Sequence, residues 1–307
     1  MNRRQCLLLL ASVLAMASNQ AGTAADGNGQ AASFAVMPSA TDPLINDFNQ
    51  PHYCWAPSGA ARDLLVLFLP GTGGVPRPNF PFTQATASMG FHTIFLMYPD
   101  EVAAQQKCAM SDDPDANMKF RLDIIRGGTD TPRASSIENR FSKLLQYLAK
   151  HNSEQNWKQF LLPDGSPDWS KTIVAGQSQG GGHAYVLGKL YVVNKVIMFG
   201  SPKDYSFYFH RPAKGFDENT KTPLNRFYAF NHARDEKGAY DHQLNILKTI
   251  GLTKHGVANV DQVQAPFNNA HVLFTDEQIN SGNFHAAPVS GRLSVCMPVW
   301  RYMLEAR

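Results

Sequence analysis

Ser178 stands at the centre of Gly176-Gln177-Ser178-Gln179-Gly180, with the apolar stretch TIVAG (172–176) before it and a helix-like segment after it. A G-x-S-x-G between a strand and a helix is the setting in which a sharp, strained turn lifts a serine hydroxyl off a sheet. Glycines on either side leave room for crossing backbone, and the N–H of Gln179 can point at an oxygen that gains negative charge. A serine hydroxyl is a weak nucleophile alone, so the same chemistry requires a base and an acid that orients it.

In the chain order serine, acid, histidine, the acid is Asp235, in NHARDE just past the strand-like RFYAF (226–230). The base is His285, in the glycine-containing loop SGNFHAAP past HVLFT (271–275). Glu236 and Asp241 compete with Asp235 but lean toward the next helix, where acids cap or complement the dipole. His183 lies five residues past the serine on the same helix, and His271 lies inside a strand pattern, so both read as packing residues. His232, His242 and His255 read as surface histidines. A second oxyanion donor is expected from LPGTGG (69–74), with Thr72 as the candidate beside Gly71, Gly73 and Gly74. A phosphate-binding reading of that loop fails, because no lysine follows in the G-x-x-x-x-G-K-[ST] frame.

Short apolar runs of the kind buried on both faces of a parallel sheet occur at 64–70, 93–99, 172–176, 196–200, 226–230 and 271–275. Helix-like segments alternate with them, which predicts an α/β class, a mostly parallel central sheet with helices on both faces in three layers. The clearest helix is SSIENRFSKLLQYLAKHN, where Ser135 and Glu138 have capping-box spacing and Ile137, Phe141, Leu144, Leu145 and Leu148 form one stripe. Two long segments, 101–134 and 201–222, break the alternation and are expected to be functional loops beside the strand ends. The second carries Tyr205, Phe207, Tyr208 and Phe209, read either as a substrate-binding aromatic run for an apolar acyl or polymer chain or as rings that pack beneath the loop.

The chain of 307 residues is 43% hydrophobic and 17% charged, which excludes disordered, collagenous and solenoid classes. Residues 1–25 follow the order of a secretory signal: two arginines, an apolar run from Cys6 to Met16, then small residues. Its removal takes Arg3 and Arg4 but no acid, lowering the formal charge from +3 to +1. That balance gives no electrostatic reason to expect nucleic acid or an anionic membrane as partner, and no stable membrane association is expected after cleavage. Localisation is accordingly expected to be periplasmic or secreted. Cys54, Cys108 and Cys296 would remain; an oxidising compartment favours one pair, with Cys54–Cys108 preferred, against an alternative of three separate buried thiols.

The motifs LPGTGG, GQSQGG and RDE, with the His285 loop, resemble the α/β-hydrolase superfamily of serine hydrolases. Within it, LPGTGG, WSKTIVAGQSQGGGHA and NHARDE are similar to a bacterial and plant group, and Gly-x-Ser-Gln-Gly is similar to cutinases. The resemblance implies a mostly parallel sheet of eight strands; no linker is long enough to split the chain, so one domain is expected over 26–307, with loop insertions at about 101–134 and 201–222 that depart from the family in matching no assignable lid. The resemblance also implies a Ser178, Asp235, His285 triad, with an oxyanion hole from Gln179 and Thr72 and neither metal nor organic cofactor. The expected activity is hydrolysis of a small-molecule or polymeric carboxylic ester. A peptidase or amidase with the same triad, or a binding protein with a silent site, is the alternative.

Overall fold

A computed structural model describes residues 33–57, 59–236, 239–278 and 282–306. The expected signal, 1–25, lies outside the described residues. Among the described residues, eleven strands follow in chain order: β1 (Ser33–Val36), β2 (His52–Trp55), β3 (Leu65–Leu69), β4 (His92–Phe95), β5 (Thr172–Gln177), β6 (Lys195–Phe199), β7 (Tyr205–Ser206), β8 (Arg211–Pro212), β9 (Phe227–His232), β10 (Val257–Asn259) and β11 (Val272–Thr275). Nine of them form one sheet in the order β1-β2-β4-β3-β5-β6-β9-β11-β10. The pairs of β1 with β2 and β2 with β4 are antiparallel, and the rest are parallel. This is the expected α/β class, a mostly parallel sheet with helices on both faces. The sheet has nine strands where the resemblance implies eight; β1, β2 and β10, each of three or four residues, lie outside the six apolar runs read from the sequence.

The uninterrupted apolar runs are explained by burial on both faces. Leu65, Leu67 and Leu69 of β3 enter one core, while Val66 and Phe68 enter the other. The first core lies under α4 (Ala116–Arg126), α5 (Ile137–His151), α6 (Gln179–Leu190) and α7 (Ala239–Thr249); the second lies under α2 (Pro81–Ser88), α8 (Ala287–Ser290) and α9 (Leu293–Glu305). The remaining helices, α1 (Pro38–Thr41) and α3 (Ala104–Cys108), are short. Each large aliphatic or aromatic side chain so buried contributes roughly 1.5–3 kcal/mol of transfer free energy, which is what holds the three layers together.

The stripe of α5 is buried as its spacing predicts. Its cap sits one residue later than expected: Ser136 Oγ accepts the N–H of Asn139 at 3.2 Å, while the Ser135 hydroxyl is turned to Asp47. Ser135 is diverted because Arg140, fully buried on the same helix, gathers the carbonyls of Ser135, Asp47 and Phe48 around its guanidinium. The preferred Cys54–Cys108 disulfide is absent: Cys54, Cys108 and Cys296 are free and buried, each filling space as a small apolar side chain.

The two long segments fold against each other beyond the strand ends. The 101–134 segment carries α3 and α4, and the 201–222 segment carries the β7–β8 hairpin. The N–H groups of Phe207 and Tyr208 donate to the carbonyl of Ala109, tying the hairpin to the end of α3 at 2.8 and 3.1 Å.

Candidate active site

Ser178 links β5 to α6 at φ 54°, ψ −116°. A non-glycine residue held there costs on the order of 1–3 kcal/mol, so its surroundings must enforce the turn. They do so by hydrogen bonds: the Ser178 N–H donates to the carbonyl of Phe199 at 2.8 Å, and its carbonyl accepts from Gly182 at 3.2 Å. They also do so by close backbone approach. A Cβ on Gly176 would lie 2.2 Å from the Gly180 carbonyl, and one on Gly180 would lie 2.1 Å from the carbonyl oxygen of Leu69. No larger residue fits at either position without moving main chain.

Asp235 follows β9 and His285 precedes α8. His285 Nδ1 donates to Asp235 Oδ2 at 2.8 Å, and the carboxylate side chain is wholly buried while the imidazole is 17% exposed. An ionised carboxylate only accepts, so the proton sits on Nδ1 and Nε2 is left as the acceptor. Asp235 is held further by the Glu236 N–H on Oδ1 at 2.7 Å and by Gln243 Nε2 on Oδ2 at 2.8 Å. Burial alone would raise its pKa, but the hydrogen bond and charge of His285, with the donors from Gln243 and Glu236, outweigh it and hold Asp235 below the usual carboxylate range.

Ser178 and His285 line one cavity of about 460 Å³, together with Thr72 and Gln179. Among the described residues no hydrogen bond joins the Ser178 hydroxyl to His285; the link between them is one across a shared wall. Gln179 is the first residue of α6, where an N–H has no acceptor within the helix. Thr72 lies in the loop after β3, and its hydroxyl donates to Gln179 Oε1 at 3.2 Å. The same loop is pinned from below by Asp100, whose main-chain carbonyl accepts from Gly73 and whose carboxylate accepts from Gly74, each at 3.0 Å. Burial pushes Asp100 up to about 7, against the opposing pull of the Gly74 N–H.

The aromatic run does not reach this cavity. Tyr205 stacks on His242 with centroids 4.2 Å apart, Phe207 meets the edge of the same ring at 5.3 Å, and Tyr208 packs on Phe209 with about half its surface exposed. The β7–β8 hairpin turns Tyr205 and Phe207 toward α7, and none of the four rings lines the cavity beside the serine. Among the described residues, the apolar side chains lining the cavity are Ala103, Ala104 and Ala286; polar ones include Gln105, Gln177, Lys203 and Asn283. Lys203 is paired with Glu236 at 2.6 Å.

Of the competing histidines, His183 is buried, against Tyr98 and Phe120. His271 stacks on Tyr228, and His242 is half-buried. His232 is not a surface residue as expected but the fully buried last residue of β9. Its Nδ1 accepts the Arg234 N–H at 3.0 Å, its Nε2 donates to the Glu277 carbonyl at 2.8 Å, and its ring packs on Phe284 at 4.5 Å. It thus ties the turn carrying Asp235 to the loop carrying His285. Asp241 is exposed in the first turn of α7. Gln243, His232 and Asp100 carry no sequence signal for their roles, since each acts through a tertiary contact.

No protein-family model and no curated relative matches the chain. Solved structures similar to it include a dienelactone hydrolase from Anabaena variabilis, 15% identical with a TM-score of 0.45, over 90% of this chain and 98% of that one. Another is a Thermus thermophilus protein, 12% identical with a TM-score of 0.42, over 90% of this chain and 99% of that one. Any assignment of chemistry rests on the side chains described above.

Proposed function

We propose that the chain is an exported serine hydrolase that cleaves carboxylic esters through an acyl-enzyme. The observation that carries this reading is the buried Asp235–His285 hydrogen bond opening onto the same cavity as a serine held in strained backbone. His285 Nε2 takes the Ser178 proton as Oγ attacks the acyl carbonyl, and Asp235 stabilises the imidazolium. The N–H groups of Gln179 and Thr72 receive the oxyanion. The imidazolium then protonates the departing alkoxide, and water repeats the sequence to release the acid. The serine–histidine hydrogen bond is of the kind that tightens only once substrate is bound.

The cavity walls favour a short, polar acyl group over an extended aliphatic one. Each additional methylene contributes about 0.8 kcal/mol only where an apolar wall receives it, and three alanines provide little. Acetyl esters are therefore expected to be turned over with higher kcat/KM than octanoyl esters. The primary test is labelling of the purified protein by a fluorophosphonate. Labelling is expected in the wild type and none in Ser178→Ala; a wild type that stays unlabelled points to a binding protein with a silent site. In an accompanying panel of esters and amides, cleavage of amides alone would move the assignment to a peptidase or amidase.

A further inference from the structure

Arg121 lies on α4, in the first long segment, and Asp204 lies in the second; both are buried. Arg121 Nε and Nη2 donate to Asp204 Oδ1 and Oδ2 at 2.9 and 3.0 Å, a bidentate pair joined by Asn117 Nδ2 on Oδ1 at 3.4 Å. The remaining terminal nitrogen, Nη1, donates to the main-chain carbonyl of Gln179 at 2.7 Å. Gly182 makes this contact possible: a Cβ there would lie 2.3 Å from Arg121 Nη2 and 2.9 Å from Asp204 Oδ2.

Gln179 is also held by its side chain. Its Oε1 accepts the Ala104 N–H at 2.9 Å as well as the Thr72 hydroxyl. The residue that offers an oxyanion donor is thus gripped at its carbonyl and at its amide by the 101–134 segment, and through Thr72 it is linked to the second donor. Stability alone gives little reason for the ion pair, since buried pairs are often replaceable by apolar side chains of similar volume without loss. The forked guanidinium, in contrast, fixes three acceptors in one plane, which a point charge cannot do.

We infer that Arg121, anchored by Asp204, is a positioning residue: by fixing the Gln179 carbonyl it sets the backbone of the residue whose N–H, on the preceding peptide unit, serves the oxyanion hole, so that the two long segments jointly control transition-state stabilisation. The inference rests on the hydrolase reading. Its effect should fall on kcat and leave ground-state binding nearly untouched, because the oxyanion forms only on the way to the transition state.

The test is the double variant Arg121→Met with Asp204→Leu, which leaves no unpaired buried charge. Thermal unfolding close to wild type is expected, with kcat on a short-chain ester reduced by at least about 10-fold, as misplacement of a catalytic group does. KM should change little, and affinity for a boronic acid that adds to the serine should fall in parallel with kcat. A double variant with wild-type kcat and boronate affinity would overturn the inference, since a merely structural pair is restored by removing both charges. Should the double variant not fold, Arg121→Lys decides: it keeps a charge opposite Asp204 but cannot span to the Gln179 carbonyl. Loss of kcat at unchanged KM then supports the inference, and wild-type kinetics overturn it. A wild-type protein that fluorophosphonate never labels overturns the hydrolase reading and this inference together; a labelled, active wild type separates the two.

Discussion

The acid of the proposed relay has an unusual set of partners, because the oxygen that accepts from His285 also accepts from Gln243. Gln243 is fully buried, and its loss leaves Asp235 with one donor fewer in a dry setting. Gln243→Leu is expected to lower stability by about 1–2 kcal/mol. The pH dependence follows from the depressed pKa of Asp235. Its contribution is present above the ordinary value of 3.8 and is lost as pH falls through the lower folded value. Without Gln243 the folded value moves up, so the variant's acid unfolding midpoint should lie at higher pH than that of the wild type. Thermal melts across the acid range measure both effects, and an unshifted midpoint would leave Gln243 no hold on the acid.

Among the elements, β9 and β11 deliver acid and base on adjacent strands, and His232 spans the loops that follow them. Burial, first of all, keeps His232 below its usual 6.5, against the pull of the Glu277 carbonyl. A histidine whose folded pKa is depressed stabilises when neutral, and that contribution is lost as pH falls below 6.5 toward the folded value. His232→Phe keeps the ring on Phe284 but neither nitrogen, so it should cost about 1–3 kcal/mol at pH 8. The gap to wild type should shrink on acidification, and a gap independent of pH would count against the assignment. The same scale shows what the sequence can and cannot reveal. The elbow was legible because glycines, strand and helix all lie within fifteen residues of Ser178. Asp235 and His285 were legible from their places after apolar runs. The placement of the aromatic run of 205–209 was not legible, because composition does not specify which way a hairpin turns. Arg121 with Asp204 was hidden because its 83-residue separation is bridged only by packing. The α5 cap slipped by one residue because a buried arginine claimed the first serine's surroundings.

At the scale of the molecule, the second core depends on the docking of α9 over β6 and its neighbours. Lys195, at the start of β6, sends its ammonium to the carbonyls of Leu304 and Ala306 at 2.7 and 2.5 Å, satisfying acceptors that the helix end leaves open. Lys195→Met is expected to destabilise by about 1–3 kcal/mol, read as a lowered melting temperature and faster amide exchange in α9. The exposed Arg301–Glu305 pair, by contrast, should contribute little. The order of parts along the polypeptide has a further consequence. The residues that hold the elbow are all present by Phe199, whereas the base comes from residue 285, beyond a strand that pairs with β9. A chain that stops short of residue 285 carries the proposed nucleophile but not its proposed base. On the proposed mechanism such a chain has no means of opening an ester, and gains it only with the final parallel strand and the loop behind it.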